Sequence, residues 1–180
     1  MNAPAKSILI TGAGSGIGRD AAFALAALGH QVHATTADDA QAEALRAECM
    51  VRQLPMTVFR LDITSAGDRA SAASLELDVL INNAGVGESG SLAEVPIERV
   101  RRTFEVNVFA TLELTQLVLR GMIGRQRGTV LFVSSIAGRL PVPFLMPYSM
   151  SKFALSAAGA GFRAEMVQLG ARIHVALIEP

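Results

Sequence analysis

The 180-residue chain is predicted to fold as an α/β domain: a doubly wound parallel sheet in three layers, with helices on both faces. Three observations predict it. Short apolar runs recur at 7–11, 31–35, 57–61, 79–82, 129–134 and 172–178, with helical periodicity between most of them, and that alternation builds parallel strands joined by crossover helices. The first run leads straight into a glycine cluster and then a helix, the order of a βα unit. A hydrophobic content of 51% over 180 residues supplies one sizeable core but not two. Residues 1–180 are therefore read as a single domain with strand order 3-2-1-4-5-6 and a crevice at the carboxyl ends of the strands.

Taken in order, Ile8, Leu9 and Ile10 form the first run, which ends in the segment TGAGSGIG at 11–18. Ala21, Ala22, Leu25, Ala26 and Leu28 then keep a helical spacing up to Gly29, placed as a C-terminal cap. After the second run, Asp38 and Asp39 suit the start of another helix as capping residues. The connection from Asp62 to Asp78 is short, so its helix should be compact or irregular. Pro96 suits the first turn of a helix. From there Ile97, Val100, Phe104, Val108, Leu112, Thr115 and Leu119 mark one face of a long helix ending near Gly124. The last helix starts near Tyr148. Within it Gly159 and Gly161 each cost about 1 kcal/mol relative to alanine, and with Ala154, Ala157, Ala158 and Ala160 they give a smooth surface suited to close helix packing.

Two places carry chemistry. A glycine-rich turn between strand and helix lets the backbone approach a pyrophosphate and aims the amide hydrogens of a helix N-terminus at its charge. Near the other end, Tyr148, the only tyrosine, stands four residues before Lys152, on the same face of a helix. A phenol ionises near pH 10, so one serving as acid or base near pH 7 needs about 4 kcal/mol of help. A lysine cation one turn along is one source of it.

The segments TGAGSGIG (Thr11 to Gly18) and NNAG (Asn82 to Gly85), with Asn107, Ser135, Tyr148 and Lys152, resemble the short-chain dehydrogenase/reductase family in order and spacing. Three residues between Gly12 and Gly16 is that family's own glycine variant, and the resemblance covers essentially the whole chain. It implies a Rossmann-like, NAD(P)-binding domain that also carries the catalytic residues of an oxidoreductase, transferring a hydride between nicotinamide and a carbonyl or secondary alcohol. By the same resemblance Tyr148 would protonate the carbonyl oxygen in reduction and take the hydroxyl proton in oxidation. Lys152 would lower its pKa and bond the nicotinamide ribose, Ser135 would hold the substrate oxygen, and Asn107 would anchor a water in a proton relay. Preorganised hydroxyls and a nearby cation stabilise charge on one oxygen where it develops. Asn107, amid Val106, Val108 and Phe109, needs a partner for its amide, and the alternative is a buried, locally satisfied group. Ser134 and Ser135 point to opposite faces of a strand end, and the family distance to Tyr148 selects Ser135.

The cofactor contacts implied are Gly12, Gly14, Ser15, Gly16, Ile17 and Gly18 at the pyrophosphate, Asn83, Ala84 and Gly85 beside the adenosine ribose and the central strand, and Asp62 with Ile63 at the adenine. Thr36, Tyr148, Lys152 and Pro180 complete the set. Asp62 is also ordinary turn chemistry. An acid at the end of the second strand would hydrogen-bond the 2′-hydroxyl and repel a 2′-phosphate; the family position for it is Thr36, which favours NADP. Against this, Ala37 and Ser15 stand where a cationic clamp would be, so NAD stays open. The stretch 137–147, with Pro141, Pro143 and Pro147, is apolar and stiff. With Val86 and Gly87 it suggests a lipophilic substrate such as a steroid, retinoid or aliphatic ketone, unless the loop simply packs on its own domain.

Sixteen basic and sixteen acidic side chains give no electrostatic case for nucleic acid or an anionic membrane. The apolar runs are broken, and the N-terminus lacks the apolar region of a secretory signal, so a cytoplasmic protein is expected. Cys49 is read as an inert thiol near a helix end and no metal is expected. Arg99, Arg101 and Arg102 read as a solvated helix face. A homodimer through the Asn107 and Tyr148 helices is what the resemblance implies. The chain stops at Glu179 and Pro180, where the family continues into a substrate lid and a last strand, so a C-terminally incomplete domain with a raw sixth-strand edge is expected. The alternative function is accordingly a catalytically incompetent dinucleotide-binding fragment or regulatory subunit.

Overall fold

The computed structural model describes residues 4–180. Six strands, β1 (Ser7–Ile10), β2 (Gln31–Thr36), β3 (Met56–Arg60), β4 (Val79–Asn82), β5 (Gly128–Val133) and β6 (Ile173–Ile178), form one parallel sheet in the order β3-β2-β1-β4-β5-β6. Between them run α1 (Gly16–Ala27), α2 (Asp39–Arg52), α3 (Ala66–Ala73), α4 (Ile97–Phe104), α5 (Thr111–Arg125) and α6 (Met146–Gln168). The predicted fold class and strand order are those observed.

Side-chain alternation along the strands divides the core in two. On one face Ile8, Ile10, Val32, Ala34, Val79 and Ile81 pack against Ala22, Phe23 and Ala26 of α1 and Ala42, Leu45 and Cys49 of α2. On the other, Leu9, Leu80, Val130 and Phe132 meet Leu114, Val118 and Met122 of α5 and Leu155 and Met166 of α6. The direction of winding reverses between β1 and β4, which pair in register from Ile8 with Val79 to Ile10 with Ile81. A crevice opens at the carboxyl ends of these two strands because their crossover helices leave towards opposite faces.

The local signals behave as chemistry requires. Gly29 takes φ +85° and closes a Schellman motif, His30 N–H donating to Leu25 O and Gly29 N–H to Ala26 O. Asp38 caps α2, its carboxylate accepting from Gln41 N. Cys49 is buried, and burial raises its thiol pKa, as fits an inert group.

Two elements differ from expectation. The long helix is not regular: Glu105–Ala110 forms a π-helical turn between α4 and α5, so Ile97 is 55% exposed and Leu112 only half-buried. The burial stripe keeps Val100, Val108, Thr115 and Leu119 of the expected face and adds Thr103, Asn107, Thr111 and Leu114. The whole Ile97–Arg125 run has the length and composition of a membrane span, and half of its most apolar window lies inside the domain, as in a core helix. Gly159 is the other. It packs inward, where a Cβ would meet Leu177 Cδ2 at 2.7 Å and the Phe132 ring at 3.2 Å, so its smallness serves the sheet rather than an outer surface.

Candidate active site

The glycine turn is held open by β4. Thr11 Oγ1 accepts the N–H groups of Asn83 and Ala84, while Asn83 Nδ2 donates to Thr11 O at 3.0 Å and Gly12 O at 2.9 Å. Gly12 has φ +67° and lies so close to Ala84 that a Cβ would come within 2.7 Å of Ala84 Cα. Gly16 also has positive φ, +54°, but faces open space. Gly18 is buried against Gly12 O and the Asn83 amide. Ser15 is the extended N-cap of α1 and makes no side-chain cap hydrogen bond, so the first amide hydrogens of that helix stay available to an anion.

Two cavities meet over this turn. One, of about 840 Å³, is lined by Gly12, Gly14, Ser15, Asp62, Ile63 and Asn83 through Val86. A second, of about 350 Å³, shares Asn83, Gly85 and Val86 and is walled by Ile17, Ser135, Tyr148, Lys152 and Pro180. Most residues implied for the nucleotide border the larger cavity, Ser135, Tyr148 and Lys152 border the smaller, and the shared residues join the two into one cleft. The glycines, the uncapped helix start and the joined cavities fit an extended dinucleotide.

Lys152 is only 4% exposed. Its ammonium donates to Val133 O at 2.8 Å and lies 5.5 Å from the Tyr148 ring centroid. Burial pushes its pKa down to about 8. In the unfolded chain this lysine keeps its proton to about pH 10.4. Between pH 8 and that value the unfolded state binds the extra proton, and stability conferred at this position rises with pH. Lys152→Met removes that gain, so wild type is expected to improve on the variant by about 2 to 3 kcal/mol on going from pH 7 to pH 10. Paired urea titrations at the two pH values check it; a constant difference would contradict the burial of a charge here.

Ser135 Oγ accepts from Ala137 N at 3.2 Å and reaches Pro180 O only at 3.5 Å, which leaves its proton nearly free. Ser134 faces the other way, bonded to Ser156 Oγ at 2.7 Å and donating to Lys152 O. Asn107 is fully buried; Oδ1 accepts from Val86 N at 2.8 Å, and Nδ2 donates to Val86 O and Ser151 Oγ. The amide is fully hydrogen-bonded, and it clamps the Val86 backbone at the junction of the two cavities. Its side chain borders neither cavity. Gly85 lies between: a Cβ there would stand 3.2 Å from Asn107 Oδ1 and 3.6 Å from Lys152 Nζ.

Asp62 borders the larger cavity, and its Oδ1 accepts from Thr64 N and Oγ1, bonds that hold its pKa below the usual carboxylate value. Thr36 does not border the cleft. It is fully buried, its hydroxyl donated to Asp38 O at 2.8 Å, because β2 ends with this side chain on its inward face. The residue from which NADP was favoured is thus not placed to touch a ribose. Sequence reasoning passed over Gln41, which lines the larger cavity; of the arginines read as a solvated helix face, Arg102 lines that cavity too and Arg99 pairs with Glu88 beyond the NNAG turn. The capping pattern Asp38-x-x-Gln41 was the available signal for Gln41.

The family model described as short chain dehydrogenase matches residues 6–180. Human retinol dehydrogenase 8 is 35% identical over 100% of this chain and 60% of its own length. A short chain dehydrogenase/reductase from Burkholderia phymatum, solved in complex with NAD, superposes with a TM-score of 0.90 at 26% identity, covering 98% of this chain and 66% of that one. The F189W form of actinorhodin polyketide ketoreductase with NADPH gives a TM-score of 0.91 at 27% identity, over 98% and 70%. The chain spans 56% to 64% of the length of the first three curated relatives it matches. With the glycine turn, the Asn83 clamp and the Tyr148–Lys152 pair meeting in one cleft, the chain belongs to the short-chain dehydrogenase family.

Proposed function

We propose that this chain carries the nucleotide site and the catalytic centre of an oxidoreductase that moves a hydride between nicotinamide and a carbonyl or secondary alcohol. The observation that carries the proposal is the joining of the two cavities at Asn83, Gly85 and Val86. A bound nicotinamide nucleotide supplies or accepts the hydride at carbon; solved neighbours carrying NAD and NADPH support either form.

The remaining work belongs to side chains. In reduction Tyr148 gives its phenolic proton to the substrate oxygen as the C–H bond forms, and in oxidation it takes that proton back. Ser135, with its hydroxyl proton nearly free, donates to the same oxygen and positions it. The Lys152 cation, held by Val133 O, stabilises negative charge developing there. Asn107 acts by holding the Val86 peptide, and so the junction of the two cavities, in place. Ile136, Leu140 and Phe144, exposed in the segment that follows Ser135 in the chain, support a lipophilic substrate, as does similarity to a protein named retinol dehydrogenase. A 37% identical relative from Xanthomonas campestris is named 2-keto-3-deoxy-L-fuconate dehydrogenase, so polar 2-keto acids belong in the test. Turnover by the 180-residue chain on aliphatic ketones and retinoids supports the reading; turnover confined to keto acids overturns the lipophilic part, and cofactor binding with no turnover anywhere favours the fragment alternative.

A homodimer is part of the proposal. Phe109 of the π-turn and Phe153 of α6 are 51% and 41% exposed, and Ala157, Ala160 and Gly161 continue an exposed, smooth face of α6. Light scattering is expected to give twice the 18.9 kDa chain mass; a monomeric mass at micromolar concentration would remove it.

A further inference from the structure

We propose that Gln41, oriented by Asp38, reads the 2′ position of the adenosine ribose and selects NADH over NADPH. This rests on the cleft being a dinucleotide site and adds the residue that chooses between the two forms. The side chain discriminating at this position usually lies about 20 residues past the glycine fingerprint, at the junction of β2 with the next helix. Here that junction is Thr36, Ala37 and Asp38. Thr36 is turned into the core, and Ala37 has no polar group. Asp38 has one carboxylate oxygen on Gln41 N at 2.8 Å and the other on Gln41 Nε2, also at 2.8 Å. Gln41, in the first turn of α2, is the polar side chain from this corner that lines the cleft with Gly12, Gly14 and Ser15.

The orientation of its amide decides the chemistry. A Gln oxygen and nitrogen differ in what they offer a ligand. With Nε2 donating to the Asp38 carboxylate, Oε1 is left against Gly14, so close that a Cβ on that glycine would come within 2.5 Å of it. Flipping the amide would replace a charge-assisted bond with two facing acceptors, so Asp38 locks the carbonyl oxygen towards the glycine turn. A 2′-hydroxyl can donate to that oxygen. A 2′-phosphate cannot; it meets the negative end of the amide dipole with a carboxylate behind it. Of the residues lining the large cavity only Arg102 is cationic, and it comes from α4 together with Glu105 of the π-turn.

The test is a fluorescence titration of the 180-residue chain with NADH and with NADPH, in wild type, Asp38→Ser and Gln41→Lys. Serine keeps the helix cap while removing the carboxylate. Wild type is expected to bind NADH tighter by about tenfold or more, Asp38→Ser to narrow that ratio as the amide becomes free to flip, and Gln41→Lys to reverse it. NADPH bound as tightly as NADH by wild type, or a ratio untouched by both substitutions, overturns the assignment. Binding of neither nucleotide overturns the dinucleotide reading itself, an outcome distinct from equal binding of both.

Discussion

Tyr148→Phe is expected to lower turnover by about a thousandfold, within the usual range for removing a positioned acid or base, while leaving cofactor binding nearly intact. The ring stays in place at the second cavity and 5.5 Å from Lys152 Nζ, so packing is preserved and only the proton donor is lost. A fall in kcat and kcat/KM together would mark an interaction made in the transition state. Turnover within about tenfold of wild type would take Tyr148 out of the chemistry. Cofactor binding lost along with turnover would instead make the hydroxyl a ligand contact first.

Gly18→Ala is the second large effect. Its Cβ would collide with the Asn83 amide and stand 2.5 Å from Gly12 O, and neither can give way cheaply, because Asn83 holds both Thr11 and Gly12 carbonyls. The expected cost is about 2 to 3 kcal/mol, with loss of cofactor affinity because the glycine turn and the end of β4 separate. Gly16→Ala is the matched control: a Cβ there meets nothing within 4 Å, and only the left-handed backbone is penalised, by about 1 to 2 kcal/mol. Chemical denaturation and nucleotide titration on both variants separate the two causes. Equal behaviour of the two would mean that the Asn83 contact does not hold the turn.

Much of this architecture is legible in the chain because it is locally encoded. Buried parallel strands read as apolar runs, and β1 and β4 are such runs; Gly29 and Asp38 cap helices through bonds within a few residues of themselves. Thr36 illustrates what is not local. The family resemblance puts a ribose contact at this position, but the period of the strand turns the side chain inward, and its hydroxyl donates to the Asp38 carbonyl. The π-turn at Asn107 escaped for a related reason: an apolar stripe is read at 3.6 residues per turn, and one wider turn shifts its phase without any mark in composition. Asn107 itself was recognised as needing a partner, yet its partner is a peptide group 21 residues away, which no spacing predicts. Gly159 was read as an outer surface because smallness shows in a sequence and direction does not.

The most direct measurement is nucleotide binding by three forms of the 180-residue chain: wild type, Gly18→Ala and Tyr148→Phe, each titrated with NADH and NADPH. If one cleft joins a dinucleotide cradle to a separate proton-transfer centre, wild type and Tyr148→Phe will saturate with similar affinity and Gly18→Ala will not saturate. Wild type failing to saturate with either nucleotide, or Gly18→Ala binding as wild type does, would contradict it.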